Sequence, residues 1–481
     1  MLKRLSGISK SVVDKTRAML SSNGDGGEPV IVQANEHPVS HDTISNNALK
    51  VLKRLDEGGF SAYLVGGGVR DALVGMQPKD FDVATNASPE QVRELFRNSR
   101  IIGRRFRLVH VVFGRDIIEV ATFRASHEKG SGGEIGESGR IVRDNVFGSI
   151  EEDALRRDFS VNALYYNIAD GSLVDYAGGL HDIEQGLFRL IGDPVTRCEE
   201  DPVRVLRAAR LAAKLEFDIE AKTLAAMRKV APELANVPPA RLYEEVLKLF
   251  QGGYATRSFA AVREHELLPY LFPLLARRLA SGDNTLLEKM LNAALRNTDK
   301  RVSQGKPITP AYLLAFMLWP DIEERSLKQI NGGASIADAI VSASDEVMSE
   351  QLRVISIPKR ISGPMREIWQ LQPRLEHWRG RRALKLMESR RFRAAYDFLC
   401  LRSSIEPKLG PLATWWTDVQ EVAESDRLDF SAKKPVVDGL WGAGSKSGSS
   451  KKKRRRRRAP GKKKANGSSG AQNTPPKNGN R

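Results

Sequence analysis

The spacing of hydrophobic residues changes near residue 195. Before this point, short apolar runs typical of strands recur: "AYLVG" (62–66), "DFDVAT" (80–85), "LVHVVFG" (108–114), "IIEVATF" (117–123), "NALYYNIAD" (162–170) and "RLIG" (189–192). Beyond it, apolar residues return at helical spacing, interrupted at "NVPPARL" and "SIPKRIS". The pattern predicts an α+β fold, in which a mixed-sheet head is followed by an all-helical remainder. We find no internal repeat.

Two local signals refine the head. Ser88, followed by Pro89 and by Gln91 three positions on, forms a capping box with proline at the first helical position. A helix should therefore start there, directly after the "DFDVAT" strand. Residues 126–148 are polar and rich in glycine, which predicts a mobile loop.

Composition narrows the class of protein. The chain has 481 residues, of which 41% are hydrophobic, as expected for a globular protein of two or three domains. No apolar run approaches the roughly 18 residues of a spanning helix, and the basic N-terminus lacks the apolar core of a secretory signal. Cys198 and Cys400 are too far apart in sequence to suggest a disulfide framework or a metal cluster. We expect a cytoplasmic protein without a transmembrane segment.

Positive charge is concentrated at the C-terminus. Residues 441–481 contain no Asp or Glu and supply 14 of the 17 net positive charges. This segment has little that could pack, so we expect a disordered tail. The run "KKKRRRRR", with Lys451, Arg454 and Arg458, is typical of a tether for polyanions, and RNA is the abundant polyanion of the cytoplasm. A solvated tail without function remains the alternative.

Three carboxylates are candidates for catalysis. Asp80 and Asp82 would share one face of a strand, where they repel each other unless a cation lies between them. Glu119 interrupts an otherwise apolar strand and needs a cation or a basic partner. Taken singly, the aspartates fit a solvated edge and Glu119 fits a structural salt bridge. Gly67 and Gly68 would let backbone N–H groups approach an anion, although such a turn is often only a tight connection.

Together these residues could form a single two-metal active site. Two carboxylates on one strand and a third on a neighbouring strand can hold two Mg²⁺ ions roughly 3.5–4 Å apart. Carboxylate and phosphate oxygens are the ligands that magnesium prefers, and the sequence has no His or Cys cluster for zinc. The reaction class is nucleotidyl transfer.

The order of these motifs resembles a known signature. Gly67-Gly68, an interval of eleven residues and then Asp80-Phe81-Asp82 is similar to the signature of the nucleotidyltransferase superfamily that includes DNA polymerase beta, and Glu119 fits its third carboxylate. The stretches "RRDFSVN" (156–162), "EDPVRVLRAAR" (200–210) and "ARLYEEVLKL" (240–249) resemble the class II branch. That branch holds bacterial poly(A) polymerases and CCA-adding tRNA nucleotidyltransferases, and the resemblance extends over about residues 41–275.

The resemblance implies a domain order. It predicts a poorly structured N-terminal extension (1–40), a polymerase beta-like catalytic head (41–193), a helical neck with the nucleotide-selection motif (194–258), a helical body that binds RNA (259–435) and the disordered basic tail (436–481).

It also implies the roles of single residues. Asp80, Asp82 and Glu119 are the expected catalytic metal ligands. The expected nucleotide-binding residues are Gly67, Gly68, Arg70, Arg156, Arg157, Asp158, Asn162, Asp201, Arg204 and Arg207. Asp201 and Arg204, three positions apart and so on one helical face, would read the donor and acceptor that adenine and cytosine share on their pairing edges. Arg70 with Asp71 could instead brace the glycine turn. Taken alone, these charged motifs also fit surface ion pairs.

The selection motif alone cannot separate adenine from cytosine, so the choice between polyadenylation and CCA addition depends on resemblance. The stretch "IIGRRFRLVHVVFG" (101–114) and the basic tail are similar to those of poly(A) polymerases, so polyadenylation is preferred over CCA addition. Its arginines Arg104, Arg105 and Arg107 would bind RNA backbone, or else be solvated. The expected reaction joins AMP from ATP to RNA 3′ ends with release of pyrophosphate. A non-catalytic RNA scaffold is disfavoured because all three carboxylates are present.

The expected partners follow from this reaction. They are messenger, small regulatory and structured RNAs, with proteins of RNA decay as further candidates. DNA is not an expected partner, and a monomer is the simplest state. A nucleotide-binding oxidoreductase is disfavoured, since no GxGxxG follows a strand.

Overall fold

A computed structural model of the chain describes residues 28–103, 107–125, 133–135, 141–144, 146–282, 285–435 and 441. An eight-stranded mixed sheet forms the head, in the order β1-β10-β9-β2-β3-β6-β5-β4. Its strands are β1 (Val30–Val32), β2 (Ala62–Val65), β3 (Asp82–Thr85), β4 (Ser99–Ile102), β5 (Leu108–Phe113), β6 (Asp116–Thr122), β9 (Leu164–Asn167) and β10 (Leu173–Asp175). Neighbouring strands are antiparallel except β3 and β6, which are parallel. The prediction of a mixed-sheet head followed by helices is confirmed.

Four details differ from the sequence-based predictions. Strand β1 pairs with β10, so the predicted poorly structured segment through residue 40 is wrong at Val30–Val32. Within the predicted loop, β7 (Gly133–Ile135) and β8 (Ile141–Asp144) form a hairpin. "RLIG" contributes only a bridge at Leu190, while β11 (Leu187–Phe188) pairs with β12 (Asp218–Ile219). Strand β3 begins at Asp82, so Asp80 lies in the approach to the strand and not within it.

Helices flank the sheet where the sequence places caps. They are α1 (Asn46–Glu57), α2 (Gly67–Leu73), α3 (Pro89–Leu95), α4 (Ile150–Arg156) and α5 (Gly179–Gln185). The predicted capping box is confirmed: the Ser88 hydroxyl accepts from the Gln91 N–H, and the Gln91 side chain accepts from the Ser88 N–H. Because the cap fixes where α3 starts, it also fixes where β3 must end.

The remainder of the described chain is helical. It contains α6 (Pro194–Glu200), α7 (Val203–Leu215), α8 (Ala221–Val230), α9 (Pro239–Gln251), α10 (Ala255–Glu264), α11 (Pro273–Ala280), α12 (Thr285–Ser303), α13 (Pro310–Asn331), α14 (Ile336–Leu352), α15 (Lys359–His377), α16 (Arg381–Met387), α17 (Phe392–Ser403), α18 (Gly410–Glu421) and α19 (Arg427–Ala432). One apolar core runs from the head through α17, and a second cluster lies between α15 and α18. Across the described residues, no helix combines the length and apolar character needed to cross a bilayer.

The predicted tail is anchored at one point. Trp441 is 2% exposed and its ring lies 6.0 Å from that of Trp319 in α13. An aromatic pair of this kind buries a large apolar area, so the expectation of disorder from residue 436 onward is wrong at Trp441. Residues 451–458, with Lys451, Arg454 and Arg458, lie outside the described residues.

Candidate active site

The parallel pair of strands brings two of the predicted catalytic carboxylates together. Asp82, the first residue of β3, is the register partner of Glu119 in β6. Partners on adjacent strands lie roughly 4.8 Å apart and point to the same face. Both side chains line a cavity of about 280 Å³ between the sheet and helices α4, α6 and α7. Asp80 is exposed, two residues before Asp82.

The surroundings of Asp82 disfavour the charged form of its carboxylate. Asp82 is exposed as a whole residue. Partial loss of water around its carboxylate, repulsion by Glu119 and, more weakly, repulsion by Asp80 raise the pKa of Asp82 to about 6, with Arg157 acting in the opposite direction. A cation between these oxygens would remove that repulsion, so the donor set suits a hard divalent ion. The described residues nevertheless contain no ready-made group of three metal-ligating side chains, and Glu119 Oε1 lies 3.2 Å from Nε2 of His110. His110 was not predicted as a site residue.

The glycine turn lies directly beside the carboxylates. Gly66 has a backbone φ of +75°, which residues with a side chain rarely adopt. A Cβ at this position would lie 3.7 Å from both Arg157 Nη1 and Asp82 Oδ2. A Cβ on Gly68 would lie 3.0 Å from the carbonyl oxygen of Asp80. The sequence singled out Gly67 and Gly68 and missed Gly66, although the run of three glycines was a visible signal.

Arg157 is held at the cavity by two unpredicted residues. Its Nε donates to the Tyr165 hydroxyl at 2.8 Å, and its Nη2 donates to Asp153 Oδ2 at 2.9 Å. The Tyr165 hydroxyl in turn donates to Asp153 at 2.6 Å. Tyr165 is fully buried and Asp153 nearly so, which fixes the guanidinium at the cavity wall. The signal for Asp153 was its position four residues before Arg157, next to it on a helical face.

Of the predicted arginines Arg156 and Arg107, only Arg156 lines the cavity. Arg156 lines the cavity and donates to the carbonyl of Ala125, and the unpredicted Arg197 donates to the Arg156 carbonyl at 2.5 Å. Arg107 forms an ion pair with Glu90 and does not line the cavity. Arg104 and Arg105 lie outside the described residues.

Asp201 and Arg204 both line the cavity but do not share a helical face. Asp201 caps the end of α6 with an extended backbone, and α7 begins only at Val203, so the prediction of one continuous helix there is wrong. Asp201 Oδ2 accepts from Arg241 Nη2 of α9 at 2.5 Å, whereas Arg204 Nη1 donates to Glu200 at 2.9 Å. The break at Pro202, which cannot continue α6, separates the two side chains.

A partly buried chain of polar residues lies next to the cavity-lining residues Arg156 and Arg157. Asp158 accepts from Arg207 Nε at 2.9 Å and from Asn162 at 3.1 Å. Burial alone would raise the pKa of Asp158, but Arg207 and Asn162 together hold it at about 2. Arg70 donates to Asn162 at 2.5 Å and to Asp71.

None of Arg70, Asp158, Asn162 and Arg207 lines the described cavity. For Arg70, 3% exposed, these contacts favour the bracing role over nucleotide binding. Lys214 of α7 donates to Asp71 at 2.7 Å, which ties the neck to the glycine turn.

Family comparisons agree with this arrangement. Residues 62–189 match the "Poly A polymerase head domain", residues 216–279 match the "Probable RNA and SrmB- binding site of polymerase A", and residues 332–460 match the "Polymerase A arginine-rich C-terminus". The head match contains β3 and β6, the strands that carry Asp82 and Glu119.

Relatives extend the match to most of the chain. Poly(A) polymerase I of Salmonella typhimurium is 47% identical over 404 residues, which cover 82% of this chain and 87% of the relative. A CCA-adding enzyme of Bacillus pumilus is 36% identical over 240 residues, 50% of this chain and 58% of its own. A solved tRNA-processing enzyme shares the fold, with a TM-score of 0.56 and 21% identity over 82% of this chain and 99% of its own. The prediction of the poly(A) polymerase branch is thus confirmed, and the chain belongs to the poly(A) polymerase I family.

Proposed function

We propose that this polynucleotide adenylyltransferase carries out its reaction in the cavity between the head and helices α6 and α7. The attacking group is the 3′-hydroxyl of RNA, the electrophile is the α-phosphate of ATP and the leaving group is pyrophosphate. The observation that carries the proposal is the register of Asp82 with Glu119, beside Arg157 and opposite Asp201 in one cavity. That arrangement supports the proposal, because carboxylates that could bind metal ions and arginines that could bind a triphosphate line one cavity.

Each group has a task set by its contacts. Asp80, Asp82 and Glu119 would hold two magnesium ions, whose chemistry is to neutralise the reacting phosphate and to favour the ionised form of the attacking hydroxyl. Gly66, Gly67 and Gly68 leave room for phosphate oxygens at the start of α2. Arg157 faces the triphosphate with a guanidinium whose orientation Asp153 and Tyr165 already fix, so little ordering is needed on binding.

Base selection belongs to the turn between α6 and α7. Asp201 presents acceptors, and Arg204 presents donors, to the pairing edge of an incoming adenine. Arg241 and Glu200 hold these two side chains. Arg207, Asp158 and Asn162 support this turn from below, and we propose that they act by positioning it.

The wider assignments belong to the same proposal. In this proposal the head (41–193) and the neck (194–258) both contribute residues to the cavity, and the body and tail hold RNA. RNA 3′ ends are the substrates, proteins of RNA decay are candidate partners, and the working state is a monomer. We also propose a cytoplasmic location, where both RNA and ATP are present.

The test is primer extension with Mg²⁺, in which each of the four nucleoside triphosphates is offered singly to an unstructured RNA and to a tRNA lacking its 3′ end. We expect long extension of the unstructured RNA with ATP alone. Asp80→Ala should lose this activity and keep RNA binding. Addition that stops after C, C and A on the tRNA only would contradict polyadenylation, and normal catalysis by Asp80→Ala would contradict the carboxylate assignment.

A further inference from the structure

A second and larger cavity lies among the helices of the body. Its volume is about 780 Å³, within the range of roughly 300–1,000 Å³ that small-molecule sites occupy. It lies where α12, α13, α15 and α17 meet the end of α9 at Gln251. None of the residues described around it lines the active-site cavity.

The charge of this body cavity is strongly one-sided. Seven basic residues and one acidic residue, Asp397, line it: the basic residues are Lys300, Arg301, Lys306, Arg360, Arg390, Arg391 and Arg393. Three of the seven are already engaged, by the Pro307 carbonyl (Arg301), Glu367 (Arg391) and Asp397 (Arg393). Lys300, Lys306, Arg360 and Arg390 form no ion pair with any residue that the structure describes. The cavity therefore attracts an anion.

Its walls suit a base as well as a phosphate. Apolar side chains of Ile308, Ile361 and Leu401 line the interior together with the ring of Tyr312. An apolar wall with an aromatic ring, surrounded by cations, is the combination by which proteins hold nucleotides of a single strand without reading their sequence.

Helix α9 connects this cavity to the active site. Arg241, near the start of α9, holds Asp201, whereas Gln251 at its end lines the body cavity, ten residues or about 15 Å further along the helix. The chain that leads into α15 lies beside the start of α9, since Ser356 N donates to the Pro239 carbonyl at 3.0 Å. Arg360, four residues after Ser356, lines the body cavity, so the start of α15 is a second link between α9 and this cavity.

We propose that the body cavity binds the RNA substrate upstream of its 3′ end, with phosphates on Lys300 and Arg360 and a base against Tyr312. At about 3.4 Å per stacked nucleotide, the 15 Å of α9 between Arg241 and Gln251 corresponds to the length of roughly four nucleotides. This inference rests on the proposed function and deepens it, because it assigns a position along the RNA to a particular site.

The test compares two matched double variants. Lys300→Gln with Arg360→Gln changes the cavity, and Lys289→Gln with Arg353→Gln is the control. Lys289 and Lys300 are both exposed on α12, and Arg353, exposed like Arg360, lies just after α14, outside the cavity. Each variant's affinity is measured by fluorescence anisotropy, without ATP, for a twelve-nucleotide unstructured RNA and for a two-nucleotide primer.

We expect the cavity variant to lose affinity for the long RNA, by about fivefold per cation at 0.1 M salt, with a salt slope shallower by about 1.4. Binding of the short primer and the KM for ATP should not change, since neither reaches the cavity. Equal losses in the control, or equal losses on both RNAs, would overturn the proposal, as would an unchanged slope. Failure of the unaltered enzyme to extend any RNA would instead overturn the proposed function itself.

Discussion

At the scale of single residues, the site depends on side chains whose positions are fixed before substrate arrives. Arg157 makes hydrogen bonds with both Tyr165 and Asp153, and those two residues also bond to each other. A guanidinium held by two acceptors loses little conformational freedom when it meets a phosphate. Its orientation is therefore a property of the head and not of the nucleotide.

Removing the Tyr165 hydroxyl should weaken ATP binding more than it slows chemistry. In Tyr165→Phe the Arg157 Nε loses its shorter partner and keeps only Asp153, at 3.2 Å. We expect the KM for ATP to rise about tenfold, with a smaller fall in kcat, and stability to drop by about 1–3 kcal/mol. Steady-state kinetics with varied ATP, and thermal unfolding, give these values.

Tyr63→Phe is the matched control for this change. Tyr63 lies in the neighbouring strand with its ring 6.1 Å from that of Tyr165, and its hydroxyl forms no hydrogen bond with a described residue. If Tyr63→Phe raised the KM for ATP equally, the effect would come from packing of the rings and the role of the hydroxyl would be refuted.

The residues that could be predicted from sequence were those with charge in an unusual setting. Asp82 and Glu119 stand out because they interrupt apolar strands, and Arg157 belongs to a charged motif. Tyr165 and Arg197 do not stand out, since a tyrosine in a strand and an arginine in a helix are ordinary. Their function arises from contacts across the fold, Arg197 with the carbonyl of Arg156 41 positions away, and sequence spacing does not encode such contacts.

At the scale of elements, helix α9 supports the turn to which we assign base selection. Asp201 is not stabilised by the helix it ends, since its backbone is extended there, and its side chain is held by Arg241 of α9. Under the proposed function, selectivity would therefore depend on a helix that begins 38 residues later in the chain. The spacing of Asp201 and Arg204 suggested one helical face because it carries no information on the break at Pro202.

Arg241→Gln should relax base selection. Without Arg241, the Asp201 side chain keeps only the 3.3 Å hydrogen bond that its Oδ1 accepts from the Val203 N–H, so the acceptor for the adenine amino group is held less firmly. We expect the preference for ATP over UTP and GTP, taken as the ratio of kcat/KM values, to fall about tenfold, which is 1.4 kcal/mol. Single-nucleotide extension with each triphosphate measures the ratio.

Arg228→Gln, on the exposed surface of α8, serves as the comparison for lost charge alone. An unchanged ratio in Arg241→Gln would show that Asp201 keeps its orientation without α9. A loss of RNA binding instead of selectivity would assign Arg241 to the RNA.

At the scale of the whole molecule, one buried arginine connects three parts of the helical body. Arg402 of α17 is fully buried and forms ion pairs with Glu323 of α13, Glu376 of α15 and Glu406. Its guanidinium also lies 4.9 Å from the centre of the Trp319 ring, against which Trp441 packs. Three carboxylates around one guanidinium leave an excess of negative charge in a poorly solvated place.

This excess predicts a pH dependence of stability. Burial, and secondarily repulsion by Glu406 and Glu376, raises the pKa of Glu323 from 4.5 to about 7, although Arg402 acts against this. The folded state then binds this proton more tightly than the unfolded state, so stability falls as pH rises from about 4.5 to about 7. The glutamine of Glu323→Gln cannot titrate, so the free energy of unfolding of this variant should rise relative to that of the unaltered protein as pH increases across this window. The rise should be at most about 3 kcal/mol, because the Glu323 side chain is 20% exposed.

Thermal unfolding of both proteins at pH 5 and pH 8 measures this gain. Glu367→Gln, which alters the exposed pair with Arg391, is the control and should show no such gain. If the difference in stability between Glu323→Gln and the unaltered protein were the same at both pH values, the assignment of the pH dependence to Glu323 would be contradicted.

The parallel pairing of β3 with β6 also sets a condition for assembly of the proposed catalytic pair during folding. Asp82 and Glu119 face each other only after the chain between them has passed through α3, β4 and β5 and returned to the far side of β3. Such a crossover cannot form from local contacts alone, because its loop entropy is lost before the strand contacts form. A nascent or partly unfolded chain can therefore present its arginines and lysines to RNA while it still lacks the carboxylate pair, so that binding arises earlier than the capacity to modify what is bound.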